Sequence, residues 1–259
     1  MSLKIATWNV NSLKVRLSQV LDYMRDTDTD VLCLQEIKMT DDAFPIDTFT
    51  EAGLHVNFSG QKTYNGVAII SRTAQTEVQK NLPNFQDDQQ RLIAVTIGSV
   101  RVINVYVVNG QAPDTDKFTY KMNWLKALRE YVSNEMRLHQ HVVLLGDFNI
   151  APTDADVHNP DKWLGCNLVS PAERQALKEL MDLGLSDAFR LFEQPEKSFS
   201  WWDYRQMAFR RNAGLRIDLI LLSQPLASAC IECVIDKEPR KHEQPSDHAP
   251  VSVTLELNT

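Results

Sequence analysis

Short apolar runs separated by polar turns dominate the chain. Leu3–Thr7, Val31–Leu34, Gly66–Ile70, Leu92–Ile97, Val100–Val105, Val142–Leu145, Ile217–Leu222 and Val251–Leu257 read as strands, and so does the stretch 227–236. They are short, rich in β-branched residues and bounded by turn formers. Three segments carry helical spacing instead. Leu13, Leu17, Val20, Leu21 and Met24 fall on one helical face, and Phe118, Met122, Leu125, Leu128 and Val132 on another. The third segment opens with Ser170-Pro171-Ala172-Glu173, a capping box with proline at the first helical position. It continues through Leu177, Leu180 and Met181 to a stop at Gly184.

Strands outnumber helices, short turns join many of them, and strict β–α–β alternation is absent. This pattern predicts an α+β fold of largely antiparallel sheets covered by helices. Several strands are apolar on both faces, as when sheet packs on sheet. No linker-like stretch divides the 259 residues, so residues 1–259 are expected to form one domain.

Composition adds limits rather than identity. The 43% hydrophobic and 24% charged content is that of a chain with a buried core. No stretch has the apolar length of a membrane span, and the first residues lack the apolar core of a secretion signal, which predicts a cytoplasmic protein. Cys230 and Cys233 form a C-x-x-C pair, but positions three apart on a strand are expected on opposite faces. With Cys33 and Cys166 elsewhere, all four are expected to be free thiols. The net charge of −7 argues mildly against a protein that coats long stretches of nucleic acid. Carboxylates that bind a cation, or basic residues gathered on one face, soften that objection.

The chemistry lies where apolar strands run out into Asp, Asn, Glu or His. KIATW leads to Asn9 and Asn11, VLCLQ to Glu36, VINV to Tyr106 and Asn109, and VVLLG to Asp147 and Asn149. Asp218 opens one strand, and Asp247-His248 precedes the last. Any one cluster is an ordinary turn. Six clusters bearing oxygen and imidazole groups suit a hard cation and a phosphate.

The stretches TWNVNSL, VLCLQEIK, GQKTYNGVAI, VINVYVVNG, LLGDFNIAPTDAD, WWDYR, GLRIDLIL and PSDHAPV, spanning Thr7 to Val251, resemble the exonuclease III and apurinic/apyrimidinic endonuclease family. That family belongs to the wider endonuclease/exonuclease/phosphatase superfamily. GDFN and SDH are shared across the superfamily, whereas QE-x-K, Y-N-G-V-A and W-D-Y-R followed by G-L-R-I-D point to its DNA repair branch. The resemblance implies a four-layered α/β sandwich, two sheets face to face with helices outside. It implies a Mg2+-dependent (Mn2+ also fits) monomeric nuclease acting on double-stranded DNA with 3′ ends, nicks or abasic sites.

The resemblance also assigns roles. Glu36 is the implied principal metal ligand, with Asn9 and Asp247 beside the same ion. Asp147, the implied general base, and Asn149 align the attacking water. His248, oriented by Asp218, holds a phosphate oxygen. Tyr106 is either a core strand tyrosine or a group that contacts the scissile phosphate. Asn11, Lys62, Tyr64, Asn109, Trp201, Arg205 and Arg216 are the implied DNA contacts. The loop Met207–Arg211 either wedges into a duplex or packs on the protein. The remaining histidines, His55, His139, His141, His158 and His242, are expected at the surface.

Two departures stand out. Ser12 replaces a glycine that ends the first motif in many relatives, which changes only the turn. Leu168 aligns with a position where abasic endonucleases often carry a small residue, and a bulky side chain there restricts the pocket for a flipped-out abasic sugar. The expectation is an enzyme that favours 3′-end trimming over internal abasic incision. A lipid or inositol phosphodiesterase of the same superfamily and a DNA-binding module with a degenerate site are the competing readings. W-D-Y-R with G-L-R-I-D weighs against the first, and the intact set of site residues against the second.

Overall fold

The computed structural model describes residues 2–257. Its strands are β1 Ser2–Asn9, β2 Val31–Gln35, β3 His55–Ser59, β4 Val67–Ser71, β5 Thr76–Lys80, β6 Leu92–Ile97, β7 Val100–Tyr106, β8 His141–Asp147, β9 Leu185–Asp187, β10 Asp218–Ser223, β11 Cys230–Ile235 and β12 Val251–Glu256. Its helices are α1 Leu13–Asp26, α2 Ile46–Glu51, α3 Asp116–Leu138, α4 Pro160–Trp163, α5 Pro171–Met181 and α6 Gln224–Ala229.

The strands form two six-stranded sheets, β11-β12-β1-β2-β4-β3 and β5-β6-β7-β8-β10-β9. Each contains one parallel pair, β1 with β2 and β7 with β8, and every other pairing is antiparallel. A parallel pair needs a crossover. Helix α1 bridges β1 to β2, and α3 bridges β7 to β8.

Three apolar clusters define four layers, as the expected sandwich requires. Ile5, Val31, Ile69, Val95, Val102, Val143, Ile220 and Val253 are among the residues buried between the two sheets. Trp8, Leu13, Val20 and Leu32 seal α1 onto the first sheet, while Trp124, Leu128, Leu144 and Leu177 seal α3 and α5 onto the second. Central strands are therefore covered on both faces, which is why their sequences read as unbroken apolar runs.

The expected strands and helices are present, except that residues 227–229 close α6 and β11 takes only Cys230–Ile235 of its expected stretch, and the three strands that apolar pattern missed share a cause. β3, β5 and β9 lie at sheet edges. An edge strand is short or polar, as TEVQK in β5 is, because a long apolar edge would recruit other chains. In α3 the buried face is Lys121, Trp124, Leu125, Leu128, Tyr131, Val132 and Glu135. It is rotated from the Phe118–Met122 stripe and includes a lysine. The capping box at Ser170 forms as read: Glu173 N donates to Ser170 Oγ and Ser170 N donates to Glu173.

One expectation is corrected. A bulge in β11 puts Cys230 opposite Leu255 and Cys233 opposite Val253, two positions apart on β12. Both cysteines therefore point at the intersheet core rather than to opposite faces, and both are free thiols. Among the described residues no helix is long and apolar enough to cross a membrane.

Candidate active site

The C-terminal ends of β1, β2, β7 and β8 meet the start of β10 and the approach to β12 at one rim of the sandwich. The register fixes this meeting: Asn9 lies opposite Gln35, Tyr106 opposite Asp147, and Asp147 opposite Asp218. Close approach is built into the backbone as well. Gly146 has φ 143, and a Cβ there would lie 1.9 Å from the Val105 carbonyl oxygen. Only glycine lets β8 run this close to β7 just before Asp147.

Asp147 is 1% exposed. Asn9 Nδ2 donates to Asp147 Oδ2 at 2.9 Å and to Glu36 Oε1 at 2.8 Å, so one amide bridges both carboxylates. Asn149 N donates to Asp147 Oδ1 at 2.9 Å, and Asn149 Nδ2 lies 3.4 Å from Oδ2. His248 Nδ1 contacts both oxygens of Asp218, at 2.9 and 3.1 Å. Ser200 Oγ donates to Asp218 at 2.7 Å, and itself accepts from the Ile217 and Asp218 backbone amides. With Nδ1 held in this way, Nε2 points toward Asp147, 3.8 Å from Oδ2. The His248 backbone is fixed by Trp8 Nε1, which donates to its carbonyl, and by Ser246 Oγ, which accepts from its amide.

Burial and charge set the protonation states. Burial pushes Asp147 up from the usual carboxylate range; Asp218 and Glu36 push the same way, against His248 and the Asn9 hydrogen bond. Burial alone would lower His248, but Asp218 and Asp147 reverse this and hold the imidazole protonated well above neutrality. Burial also opposes the ionised form of Glu36, yet Lys38, Asn9 and His248 hold its pKa below the usual value. Tyr106 is pushed well above its ordinary pKa by burial and by Glu36 and Asp147, so it keeps its proton. The Arg91 guanidinium lies over its ring, 4.9 Å from the centroid.

Ligand atoms of Glu36, Asp147 and His248 lie within 4.8 Å of one another. Two of the three are carboxylates, the donor chemistry of a hard divalent cation. Lys38 Nζ sits 2.9 Å from Glu36 Oε2, a positive charge already placed beside this half-buried carboxylate. The other two expected ligands have different surroundings. Asn9 presents its amide nitrogen to the carboxylates, and its Oδ1 accepts from Asn11 N. Asp247 accepts from Asn11 Nδ2 and Trp201 Nε1 and does not join the cluster.

Two open depressions extend the site. On the Tyr106 side, about 520 Å³ is lined by Gln61, Tyr64, Arg91 and Asn109 among others. On the Trp201 side, about 430 Å³ is lined by His158, Lys162, Arg205 and Arg211 among others. The expected DNA contacts Tyr64, Asn109, Trp201 and Arg205 thus fall in these depressions, and Lys62 is exposed beside Gln61. Arg216 does not. It is 1% exposed and ion-paired to Asp156 and Asp187, so its assignment as a DNA contact is corrected: it anchors the start of β10. Phe209 packs edge-on against Trp202, while Met207 is 63% exposed. His55 and His242 are exposed, and His139, His141 and His158 are half-buried. Lys38, Ser200 and Arg91 were not assigned from sequence, because nothing in a lone Ser, Lys or Arg announces its neighbour across the fold.

Leu168 is buried with Ala151, Val157, Val169, Leu215 and Ile217, with Trp201 packed against them. Its φ of 73 is left-handed, an unusual conformation for a leucine.

Comparison with known proteins agrees with this geometry. Residues 6–248 match the model of the Endonuclease/Exonuclease/phosphatase family. Exodeoxyribonuclease III of Haemophilus influenzae is 36% identical over 96% of this chain and 98% of its own. The structure of the 3′ phosphatase NExo from Neisseria bound to a product DNA hairpin superposes with a TM-score of 0.97 at 49% identity, covering 98% of this chain and 100% of that one. An AP endonuclease from Archaeoglobus fulgidus superposes with a TM-score of 0.94 at 39% identity, again over 98% and 100%. With its two-sheet sandwich, its rim of carboxylates and histidine, and a family match over nearly its whole length, the chain belongs to the endonuclease/exonuclease/phosphatase family.

Proposed function

We propose that this protein is a Mg2+-dependent DNA repair nuclease of the exonuclease III type, active as a cytoplasmic monomer of one domain. It hydrolyses phosphodiester bonds in double-stranded DNA and favours 3′-end trimming over incision at internal abasic sites. The observation that carries this reading is the buried Asp147 beside Glu36 and an Asp218-held His248.

Asp147 takes the proton of the attacking water, and Asn9 and Asn149 fix its oxygens. The water oxygen bonds to phosphorus as the bond from phosphorus to the 3′ oxygen breaks. His248 Nε2 donates to a non-bridging oxygen as negative charge builds there, while Asp218 keeps the ring charged and aligned. Tyr106, protonated and pressed under Arg91, is placed to hydrogen-bond the scissile phosphate or the leaving oxygen. A divalent cation at Glu36 would supply charge neutralisation at the phosphate. Tyr64, Lys62, Asn109, Trp201 and Arg205 hold the duplex on either side.

The preference for 3′ ends rests on Leu168, which fills apolar space against Trp201. The 49%-identical Neisseria protein, described as a 3′ phosphatase, supports an end-directed activity. The deciding measurement runs two labelled duplexes side by side, one blunt and one with a single internal abasic analogue, with Mg2+ or with chelator. Chelator-sensitive cleavage that is faster on the blunt duplex is expected. Equal rates would remove the preference. No cleavage of either duplex by folded protein would turn attention to lipid and inositol phosphate substrates.

A further inference from the structure

Beneath the asparagine side chains of the site lies a buried ion pair whose role the catalytic scheme does not use. Lys121 of α3 and Glu173 of α5 have no exposed side-chain surface. The ammonium has three protons and three acceptors: the Glu173 carboxylate, the Asn149 carbonyl at 2.8 Å and the Asn109 carbonyl at 3.1 Å. Glu173 in turn accepts from the backbone amides of Leu168 and Ser170, at 3.1 and 3.0 Å. Three loops, those carrying Asn109, Asn149 and Leu168, therefore hang from one pair of charges.

The side chains above repeat the connection. Asn167 Nδ2 donates to Asn109 Oδ1 at 3.0 Å, and Asn109 Nδ2 donates to Asn149 Oδ1 at 3.1 Å. With its oxygen held by this row, the Asn149 amide nitrogen donates to the Val107 carbonyl at 3.0 Å and lies 3.4 Å from Asp147 Oδ2. The loops also use left-handed backbone: Asn149 has φ 50 and Leu168 φ 73, and Gly110 supplies φ 84 at no Cβ cost. A Cβ on Gly110 would meet Lys121 Cδ at 2.8 Å, so the lysine stem packs directly under the turn. Left-handed residues persist where surrounding structure fixes them.

A buried ion pair is a poor source of stability, because desolvation offsets the attraction and apolar residues of like volume often do better. An apolar pair cannot donate to two carbonyls. We propose that Lys121 and Glu173 are positioning residues for catalysis, holding the Asn167–Asn109–Asn149 row in register with Asp147. The proposal rests on Asp147 and Asn149 acting as assigned above. It adds that their alignment is set from beneath, by a pair that touches neither substrate nor reacting atoms.

The test is steady-state cleavage of the blunt duplex by the full chain, with duplex affinity measured separately in chelator. In the double variant Lys121→Met/Glu173→Gln, both charges go together, so no uncompensated charge is left buried. Its kcat should fall about 10- to 100-fold, since a misplacement on the order of 1 Å costs up to that much. Duplex affinity should fall by much less than kcat, since Asn109 is one of several contacts with the duplex. Unchanged kcat, or kcat and affinity falling together, would overturn the proposal. If the double variant fails to fold, Asn167→Ala decides, since its side chain is only half-buried: several-fold lower kcat at unchanged affinity supports the row, and unchanged kcat overturns it. An active Asp147→Asn enzyme would instead sink the base assignment, leaving a distinguishable result.

Discussion

The strand order β11-β12-β1-β2-β4-β3 of the first sheet repeats in the second as β5-β6-β7-β8-β10-β9, direction for direction. In each sheet the parallel strands of a β–α–β crossover are flanked on one side by one antiparallel pair and on the other by a second. The rims nonetheless carry different chemistry. By register, the counterpart of Asp147 in the first sheet is Gln35, whose buried amide donates to Thr7 on the neighbouring strand and to Asn104 across the sheets. The carboxylate of the first half comes one residue later. Glu36 has φ 51, which turns it out of the strand and leaves its side chain 18% exposed. One plan thus yields a fully buried carboxylate whose pKa rises, suited to a base, and a half-buried one whose pKa Lys38 and the Asn9 hydrogen bond hold down against burial, suited to a cation. A single step along the backbone separates the two roles, because burial outweighs the neighbouring positive charge at Asp147 and does not at Glu36.

The comparison can be broken or sharpened by substitution. The largest effect belongs to the buried half: Asp147→Asn should lower turnover by about 10²- to 10⁴-fold with duplex binding in chelator retained. Turnover near that of the parent would remove Asp147 as the base. Next, Asp218→Asn should cost about 10²-fold through loss of the charged, aligned imidazole. It should also move the basic limb of the pH–rate profile down by roughly one unit or more, because Asp218 is the chief group raising His248. A basic limb that stays put would mean that another group sets it.

In the exposed half, Glu36→Gln should lower activity on the order of 100-fold at low Mg2+. The same variant should recover in part as Mg2+ is raised, whereas Asp147→Asn should not. A response of both variants to added metal would erase the division of labour. The parent enzyme's acid limb is also diagnostic. Asp147 must be ionised to accept a proton, so activity should rise with pH. The raised pKa places that rise above the ordinary carboxylate range, toward about 7. A limb in the ordinary carboxylate range would mean that a group other than the buried Asp147 sets it. The smallest effect is expected at Leu168→Gly, which suits the left-handed backbone and opens apolar space. It should raise abasic incision relative to blunt-end trimming by about 10-fold or less, and an unchanged ratio would acquit Leu168.

Much of the site was legible because polar residues at strand ends break an apolar pattern. Glu36, Asp147, Asn149, Asp218 and His248 were named that way and the structure brings them together. Arg216 was misjudged because an arginine beside a site motif looks like a phosphate contact until Asp156 and Asp187 appear around it. Lys121 went unread for the opposite reason. A lysine in an amphipathic helix is normally on the wet face, and its partner Glu173 already had a complete explanation in the capping box. Asp247 was placed beside the metal by the family resemblance, and in the fold it accepts from Trp201 and Asn11.

The sequence by itself determined where apolar central strands and amphipathic helices form, and which strand ends carry oxygen and imidazole groups. Those are local properties, set by periodicity and residue type. Only the tertiary structure decided which carboxylate is buried, which faces solvent, where the edge strands pair and which charges meet beneath the site. Such properties depend on contacts between residues far apart in the chain, and on how much water the packed layers leave around each group.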